Sequence, residues 1–359
     1  MAKTYPILLF PLLLILSGCY GTVVRIRLWL YAQGWVKRYQ LPCPVWSIGN
    51  VTVGGTGKTP ITLWVAQQLI NKGLRVGILS RGYRRSSQER FLLVSDGKRV
   101  LVDPSESGDE PFLMARRCPR AVVAVGADRH GLGKWVLQQQ SVDCFVLDDG
   151  FQHVGLQRDV DLVLIDSSDT QGLERLLPCG RLREPLDGLT RATTIMMTRY
   201  EDGQDVTSLR DIPEDLKRLR SHVVKSRFVI EGLVMAGSND CRPATGLSSI
   251  PVVIFSGIAN PPSFRRMIEM LGVEIVDEVV YPDHHSYTPA DLAELVQRGT
   301  EVGAQCFLTT EKDLVKIEAT WSLPQMLYAV RIGLDVREGI DVLEACVQKV
   351  LNRCLHQKA

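Results

Sequence analysis

Among its nine cysteines the sequence has no Cys-x-x-Cys pair. That removes the spacing that would announce a metal site, and the odd number suits a reducing compartment rather than a disulfide framework. Internal repeats are missing too, as are low-complexity tracts. Neither sign of charge dominates: 42 Lys and Arg stand against 40 Asp and Glu, a net charge of +2. Composition therefore gives no argument for nucleic acid, and none is expected as a partner. Charge is wholly lacking from Tyr5 to Val24. What is present is ordinary for a globular chain, with 45% hydrophobic and 23% charged residues. At 359 residues the length allows two domains.

The uncharged N-terminal run is long enough to enter or span a bilayer as a helix, although Pro6, Pro11, Gly18 and Gly21 weaken it as a regular span. A basic, aromatic flank follows, with Arg25, Arg27, Trp29, Tyr31, Trp35, Lys37 and Arg38. Such a flank suits an anionic cytoplasmic leaflet and the interfacial belt. Three readings compete: a retained membrane anchor, a buried core helix, and a cleaved signal with Leu16-Ser17-Gly18-Cys19 as a lipoprotein-like cleavage site. The last would export the chain to a place without ATP, and its charged leader is thin.

The next segment argues for ATP. Gly49-Asn-Val-Thr-Val-Gly-Gly-Thr-Gly-Lys58-Thr59-Pro60 follows the apolar run Pro44–Ile48 and precedes the amphipathic run Ile61–Leu69. Strand, glycine loop, helix is the context in which backbone N–H groups converge on phosphate oxygens at the positive end of a helix. Residues Thr52, Val53, Gly54, Gly55, Thr56, Gly57, Lys58 and Thr59 form the expected nucleotide cradle, the lysine and hydroxyl suiting the β/γ-phosphates and Mg²⁺. The usual pattern asks for glycine where Thr52 stands; Gly54 and Gly55 can supply the positive φ angles instead. The bland alternative is a glycine-rich turn before an ordinary helix.

Short apolar runs then alternate with helical segments. Strands are expected at Arg75–Leu79, Ala121–Val125, Val142–Leu147, Asp161–Ile165 and Thr194–Met197, a hairpin over Phe91–Val102, and helices over Gly108–Arg117 and Arg129–Gln140. This alternation means a parallel sheet with ligands at the strand carboxyl ends. Residues 201–225 are polar and read as a helical stretch leading to a linker. A smaller α/β unit follows, with strands at Phe228–Val234, Val252–Phe255, Cys306–Leu308 and Leu327–Val330 and helices at Pro262–Leu271, Pro289–Arg298 and Ile340–Leu351. The expected division is 1–38 for the N-terminal helix and flank, 39–225 for the nucleotide-binding domain and 226–359 for the smaller domain.

Several side chains could carry chemistry. Asp148 and Asp149 end an apolar strand about ninety residues after the glycine loop, where a carboxylate helps hold Mg²⁺ with the loop hydroxyl. Alone they would be an ordinary Asp-Asp-Gly turn. Asp109-Glu110 opens a helix before Pro111, so both could be capping acids, or Asp109 a general base. In Tyr281-Pro-Asp-His-His-Ser-Tyr287, a histidine could orient a carboxylate, but adjacent histidines are poorly placed to share a metal. The arginines of Arg81-Gly-Tyr-Arg-Arg85 and Gly180-Arg-Leu-Arg-Glu184 could bind phosphate or be solvated charge.

Seven segments occur together and in order: Gly49-Asn50…Gly54-Gly-Thr-Gly-Lys-Thr-Pro60, Ser80-Arg-Gly-Tyr83, Gly108-Asp-Glu-Pro111, Asp148-Asp-Gly-Phe-Gln-His153, Gly180-Arg-Leu-Arg-Glu-Pro185, Asp283-His284 and Thr310-Glu-Lys-Asp313. The set resembles the tetraacyldisaccharide 4'-kinases, the lipid A 4'-kinases of Gram-negative bacteria, over nearly the whole chain. The resemblance implies an α/β fold: a P-loop NTPase-like parallel sheet domain, a second smaller α/β domain and an N-terminal membrane-associated helix. It implies transfer of the γ-phosphate of ATP, with Mg²⁺, to the 4'-hydroxyl of tetraacyldisaccharide 1-phosphate, giving lipid IVA in lipopolysaccharide biosynthesis. The work would be done at the cytoplasmic face of the inner membrane.

Carried onto this chain, the resemblance implies that Lys58 and Thr59 bind phosphate and Mg²⁺. Asp149 would be the main Mg²⁺-linked acid, with Asp148 and Glu110 close by. Asp109 would be the catalytic base, supported by His284 when the two units approach, and Arg129, His153 and Arg81 would line the site. Another class of reading is a membrane-associated, nucleotide-switched ATPase of the partitioning type. Those loops carry a lysine before the two glycines, where this chain has Val53. A nonenzymatic periplasmic lipoprotein would rest on the Leu-Ser-Gly-Cys match alone.

Overall fold

The computed structural model describes residues 10–169, 173–203, 223–238, 240–317, 321 and 326–358. The stretch expected to be a helical linker thus lies mostly outside the described residues. The strands, in chain order, are β1 (Val45–Asn50), β2 (Val76–Ser80), β3 (Leu92–Asp96), β4 (Val122–Val125), β5 (Cys144–Asp148), β6 (Val160–Asp166) and β7 (Thr194–Thr198). They continue with β8 (Val223–Met235), β9 (Cys241–Arg242), β10 (Pro251–Ser256), β11 (Glu274–Val280), β12 (Cys306–Thr310) and β13 (Leu327–Glu338). The first helices are α1 (Phe10–Ala32), α2 (Lys58–Asn71), α3 (Pro104–Ser107), α4 (Asp109–Arg117) and α5 (Arg129–Gln139).

Two compact units result, and they do not follow chain order. The first comprises Met1–Arg81, Asp128–Arg227 and Asp335–Ala359; the second comprises Gly82–Ala127 and Phe228–Leu334. One boundary between the units falls after Arg227, and segments 82–127 and 335–359 lie on the other side from where a linear split would put them. Segment 82–127 groups with the second unit because α4 is tied into it. Arg117 reaches Glu231 and Glu311 at 2.9 and 3.3 Å, and Arg116 donates to the Ser238 carbonyl at 2.9 Å. The final helix, Ile340–Lys358, belongs to the first unit. There Lys349 donates to the Asp159 carbonyl at 2.7 Å, and Arg353 pairs with the Asp159 carboxylate.

In the first unit the strand order is β8-β7-β6-β1-β5-β2, and every neighbouring pair is parallel. β1, β5 and β7 are buried along their whole length, which is why their sequences read as continuous apolar runs rather than alternating ones. The carboxyl ends of β1 and β5 deliver the glycine loop and the Asp-Asp pair, as a doubly wound sheet requires of a ligand site.

The second unit carries the parallel order β11-β10-β12-β13, an antiparallel β3–β4 pair, and β9 antiparallel to the end of β8. Phe255, Tyr287, Leu292 and Phe307 share one core cluster; Phe264, Ile268, Val252 and Ile254 share another. The expected hairpin over Phe91–Val102 forms as a tight return, Leu101 N–H bonding the Val94 carbonyl at 2.8 Å. The regular ladder of β3 is instead made with β4. β11 is absent from the strands expected on sequence.

Candidate active site

The glycine loop is built for close approach of a ligand to backbone. Gly54 and Gly57 have φ of 122° and 83°, angles a side chain would strain, and Gly57 turns the chain directly into α2 at Lys58. Thr52, at the position where glycine is usual, is buried and bridges to Leu182, so it forms the floor of the loop rather than its lip. Asn50 Nδ2 donates to Thr56 Oγ1 at 3.0 Å and its Oδ1 accepts from Lys58 Nζ at 3.4 Å. Lys58 Nζ also lies 3.8 Å from Asp149 Oδ1, so the ammonium rests between an amide and a carboxylate.

Asp148 and Asp149 differ sharply. Asp148 is buried, accepting from Ser80 Oγ at 3.0 Å and Thr62 Oγ1 at 3.4 Å. Asp149 follows with φ of 51°, a left-handed conformation that turns its carboxylate away from that pocket. A third of its side chain is exposed, and Arg183 Nη1 donates to both its oxygens at 2.9 Å. Burial raises the proton affinity of Asp149, but Lys58 and Arg183 outweigh it and hold the carboxyl below the usual range. Arg129 is buried at the start of α5. Its burial lowers its pKa, opposed by the charges of Asp148 and Asp149. Burial, reinforced by Arg129, brings His153 down to about 4, so it is a neutral imidazole at physiological pH.

The arginines of the 180–184 loop are both engaged, although Arg181 is also exposed. Arg181 donates to the Val53 carbonyl at 2.9 Å and pairs with Asp169 at 2.6 Å. The Val53 N–H in turn bonds the Arg181 carbonyl at 2.8 Å, and the Arg183 N–H bonds the Val51 carbonyl at 2.7 Å. Arg199 Nη2 supports the loop from below through the Gly55 carbonyl at 2.8 Å. Arg81 is exposed.

In the second unit, Gly108 has φ of 90°, and a Cβ there would meet the Tyr83 carbonyl at 2.8 Å. This turn sets Asp109 as the first residue of α4, where its Oδ1 accepts from the Glu110 N–H at 3.0 Å. Its other oxygen, Oδ2, is 2.9 Å from His284 Nδ1. The two residues are 175 positions apart in sequence but lie in one compact unit, so their contact requires no approach of units, contrary to the expectation from sequence. His284 is held in a left-handed conformation, φ 61°, with its N–H on the Gly257 carbonyl at 3.0 Å. Its Nε2 lies 3.2 Å from Lys312 Nζ, which has only protons to offer. The Lys312 contact suits acceptance at Nε2 and donation from Nδ1 to Asp109.

Lys312 also holds Glu110 at 3.0 Å. Burial pushes the proton affinity of Lys312 down, but Glu110 and Asp109 outweigh it and keep it charged. Asp109 is 8% exposed; burial raises its pKa, yet the His284 hydrogen bond and the Lys312 charge bring it below the ordinary value. The neighbouring His285 is engaged elsewhere, stacking on Tyr281 at 4.5 Å and bonding Asp291 at 3.2 Å.

The sequence profile described as Tetraacyldisaccharide-1-P 4'-kinase matches residues 9–352. The chain belongs to this kinase family. Among similar proteins is the tetraacyldisaccharide 4'-kinase of Geobacter metallireducens, 35% identical over 344 residues that make up 96% of this chain and 99% of the relative. That of Anaeromyxobacter sp. strain Fw109-5 is 37% identical over 349 residues, 97% of this chain and 93% of the other. A solved structure of LpxK from Aquifex aeolicus, described as in complex with ATP, superposes with a TM-score of 0.75 at 31% identity. It covers 96% of this chain and 99% of that one.

Measured against the expectations for such a kinase, the first unit gathers Lys58, Thr59, Asp148, Asp149, Arg129, His153 and Arg81, and the second gathers Asp109, Glu110 and His284. Glu110, expected beside the metal, is engaged by Lys312. Sequence reasoning missed Lys312, although Thr310-Glu-Lys-Asp313 stood among the motifs, because nothing local ties a lysine there to a histidine 28 positions earlier. Arg183 was visible only as part of a basic loop. Among the described residues no group of three or more His, Cys, Asp and Glu could cage a metal ion. One loop hydroxyl and a partly exposed carboxylate suit an ion such as Mg²⁺, which takes few protein ligands and is shared with substrate phosphates.

Proposed function

We propose that this chain transfers the γ-phosphate of ATP to the 4'-hydroxyl of tetraacyldisaccharide 1-phosphate. The observation that carries the reading is the Asp109–His284 pair. A buried carboxylate kept ionised, with one oxygen fixed by a histidine, is what deprotonation of a sugar hydroxyl needs. A nucleotide-switched ATPase has no use for such a base.

In this mechanism the backbone N–H groups of Gly54, Gly55, Gly57 and Lys58 receive the β/γ-phosphates and the Lys58 ammonium offsets their charge. Thr59 and Asp149 would hold Mg²⁺, with Asp148 fixed behind by Ser80 and Thr62. When bound, the ion neutralises charge on the phosphate oxygens. Arg129 adds fixed positive charge near the Asp pair, and Arg183 restrains Asp149 until the nucleotide arrives. Asp109 accepts the proton of the attacking hydroxyl. His284 stabilises the ionised carboxylate and fixes its orientation, and Lys312 keeps His284 in the donating tautomer. Positioning and charge compensation do most of the work in phosphoryl transfer, and these residues supply both.

The acyl chains of such an acceptor belong in lipid, and α1 is suited to meet them. Its residues Leu12, Ile15, Leu16, Val23, Ile26 and Trp29 are exposed, whereas its buried residues are Ser17 and Gly21. An apolar outer face with small, polar residues turned inward is the pattern of a helix against lipid. The reading places the enzyme at the cytoplasmic leaflet of the inner membrane, where ATP is available.

The deciding assay uses radiolabelled ATP with the disaccharide 1-phosphate in mixed micelles. Label should enter the lipid, and Asp109→Ala should lower kcat by about 10²–10⁴-fold while the KM for ATP stays within a few fold. ATP hydrolysis without lipid phosphorylation would favour the switched-ATPase reading. A variant that raises the KM for ATP and leaves kcat intact would remove Asp109 as base.

A further inference from the structure

The face of α1 turned to the protein makes specific contacts. Tyr20 Oη donates to the Arg183 carbonyl at 2.6 Å, and Ser17 Oγ donates to the Leu176 carbonyl at 2.9 Å. Gly21 is packed so closely that a Cβ would come within 2.7 Å of Leu176 Cδ1. A helix serving only as a tether needs none of this.

The segment that receives these bonds is the one that braces the glycine loop. On its far side the Arg183 N–H bonds the Val51 carbonyl, and the Val53 N–H bonds the Arg181 carbonyl. Thr52 bridges Leu182 within the same ladder. The Arg183 side chain then holds the carboxylate of Asp149. The peptide around Arg183 is thus fixed by α1 through its carbonyl, by the floor of the loop through its N–H, and by Asp149 through its guanidinium.

We propose that Tyr20 is a positioning residue for the nucleotide site, and that α1 and the phosphate loop are coupled through the backbone of Arg183. Packing of α1 sets the height of the 181–183 strip under Val51–Val53 and the reach of Arg183 toward Asp149. When α1 is displaced the strip relaxes, and the nucleotide is held less tightly. Coupling is reciprocal, so bound nucleotide in turn favours the docked helix. The inference rests on the glycine loop being the nucleotide site, not on the identity of the acceptor.

The test measures MgATP binding by titration calorimetry on full-length enzyme in mixed micelles, alongside turnover. Tyr20→Phe keeps the ring and removes one hydrogen bond. It should weaken MgATP binding, and raise the KM for ATP, by about five-fold, the size of one net hydrogen bond. The KM for the lipid acceptor and membrane recovery should be unchanged. Ser17→Ala removes a bond from the same face that does not reach Arg183, and should change MgATP binding less than twofold. The inference is overturned if Tyr20→Phe binds MgATP as the parent does. Equal losses in both variants, or a parallel change in acceptor KM and membrane recovery, overturn it as well, since either would mean general loosening of the helix. Failure of lipid phosphorylation with intact MgATP binding would strike the kinase reading and leave this one standing.

Discussion

At the scale of single residues, the Asp109–His284 pair makes a prediction with a definite sign. Burial alone would raise the Asp109 pKa; the hydrogen bond from His284 is the first effect opposing it. If Asp109 is the base proposed above, His284→Ala should move the acid limb of the kcat/KM profile to higher pH, because the base must lose its proton to act. An acid limb that stays in place would mean that His284 does not stabilise the ionised base. His153 predicts a stability effect instead. The folded chain binds its proton near pH 4, whereas an unfolded chain binds it near 6.5. Between those values the unfolded state holds more protons, so stability falls as the pH is lowered through that window. Thermal melts from pH 7 to 4 should show the fall, and His153→Gln should flatten it.

The placement of several candidate residues in the fold was legible. Lys58, Thr59 and the Asp pair sit where strand–loop–helix context put them, because a phosphate loop is a local structure and local sequence encodes it. The environment of Asp109 was not legible. His284 and Lys312 reach it across 175 and 203 positions, and no periodicity reports a contact of that span. Whether Asp109 caps its helix or meets a histidine was an open choice in the sequence. In the structure Gly108 holds the cap position and Asp109 is the first helical residue, with one oxygen on the Glu110 N–H and the other on His284.

At the scale of elements, buried strands announced themselves and the edge strand did not. β5 and β7 read as apolar runs because both faces are covered. β11 ends the β11-β10-β12-β13 order, is nowhere fully buried, and carries Asp277 and Glu278. Those acids are answered by Arg298 at 2.8 Å and Arg265 at 2.6 Å, so charge at an edge conceals the strand while protecting it from pairing. The helix α1 is longer than its uncharged run suggests: Arg25 and Arg27 read as a flank, yet the helix continues through them to Ala32. Ile15→Glu combined with Val23→Glu alters only its outward face. Membrane recovery after cell fractionation should drop severalfold, while MgATP binding remains within twofold. Unchanged recovery would remove the lipid-facing assignment.

At the scale of the whole molecule, the division into units was the least legible feature, since segments 82–127 and 335–359 each join a unit that does not adjoin them in a linear split. A fragment of residues 39–225 looks self-sufficient by sequence. It would nevertheless carry α4 without the Glu231 and Glu311 that pair with Arg117, and it would lose the helix that anchors Asp159. Such a fragment should show no cooperative unfolding by calorimetry and should not bind MgATP. A sharp transition with retained binding would show that the exchanged segments are dispensable.

The placement of the helix Ile340–Lys358 has a consequence for how the protein comes into being. The glycine loop leaves the ribosome early, directly after the apolar helix that can draw the nascent chain to the bilayer. The helix of the same unit that contacts Asp159 and Asp143 is translated nearly three hundred residues later. Translation of this unit is therefore not finished until almost the whole chain has been made.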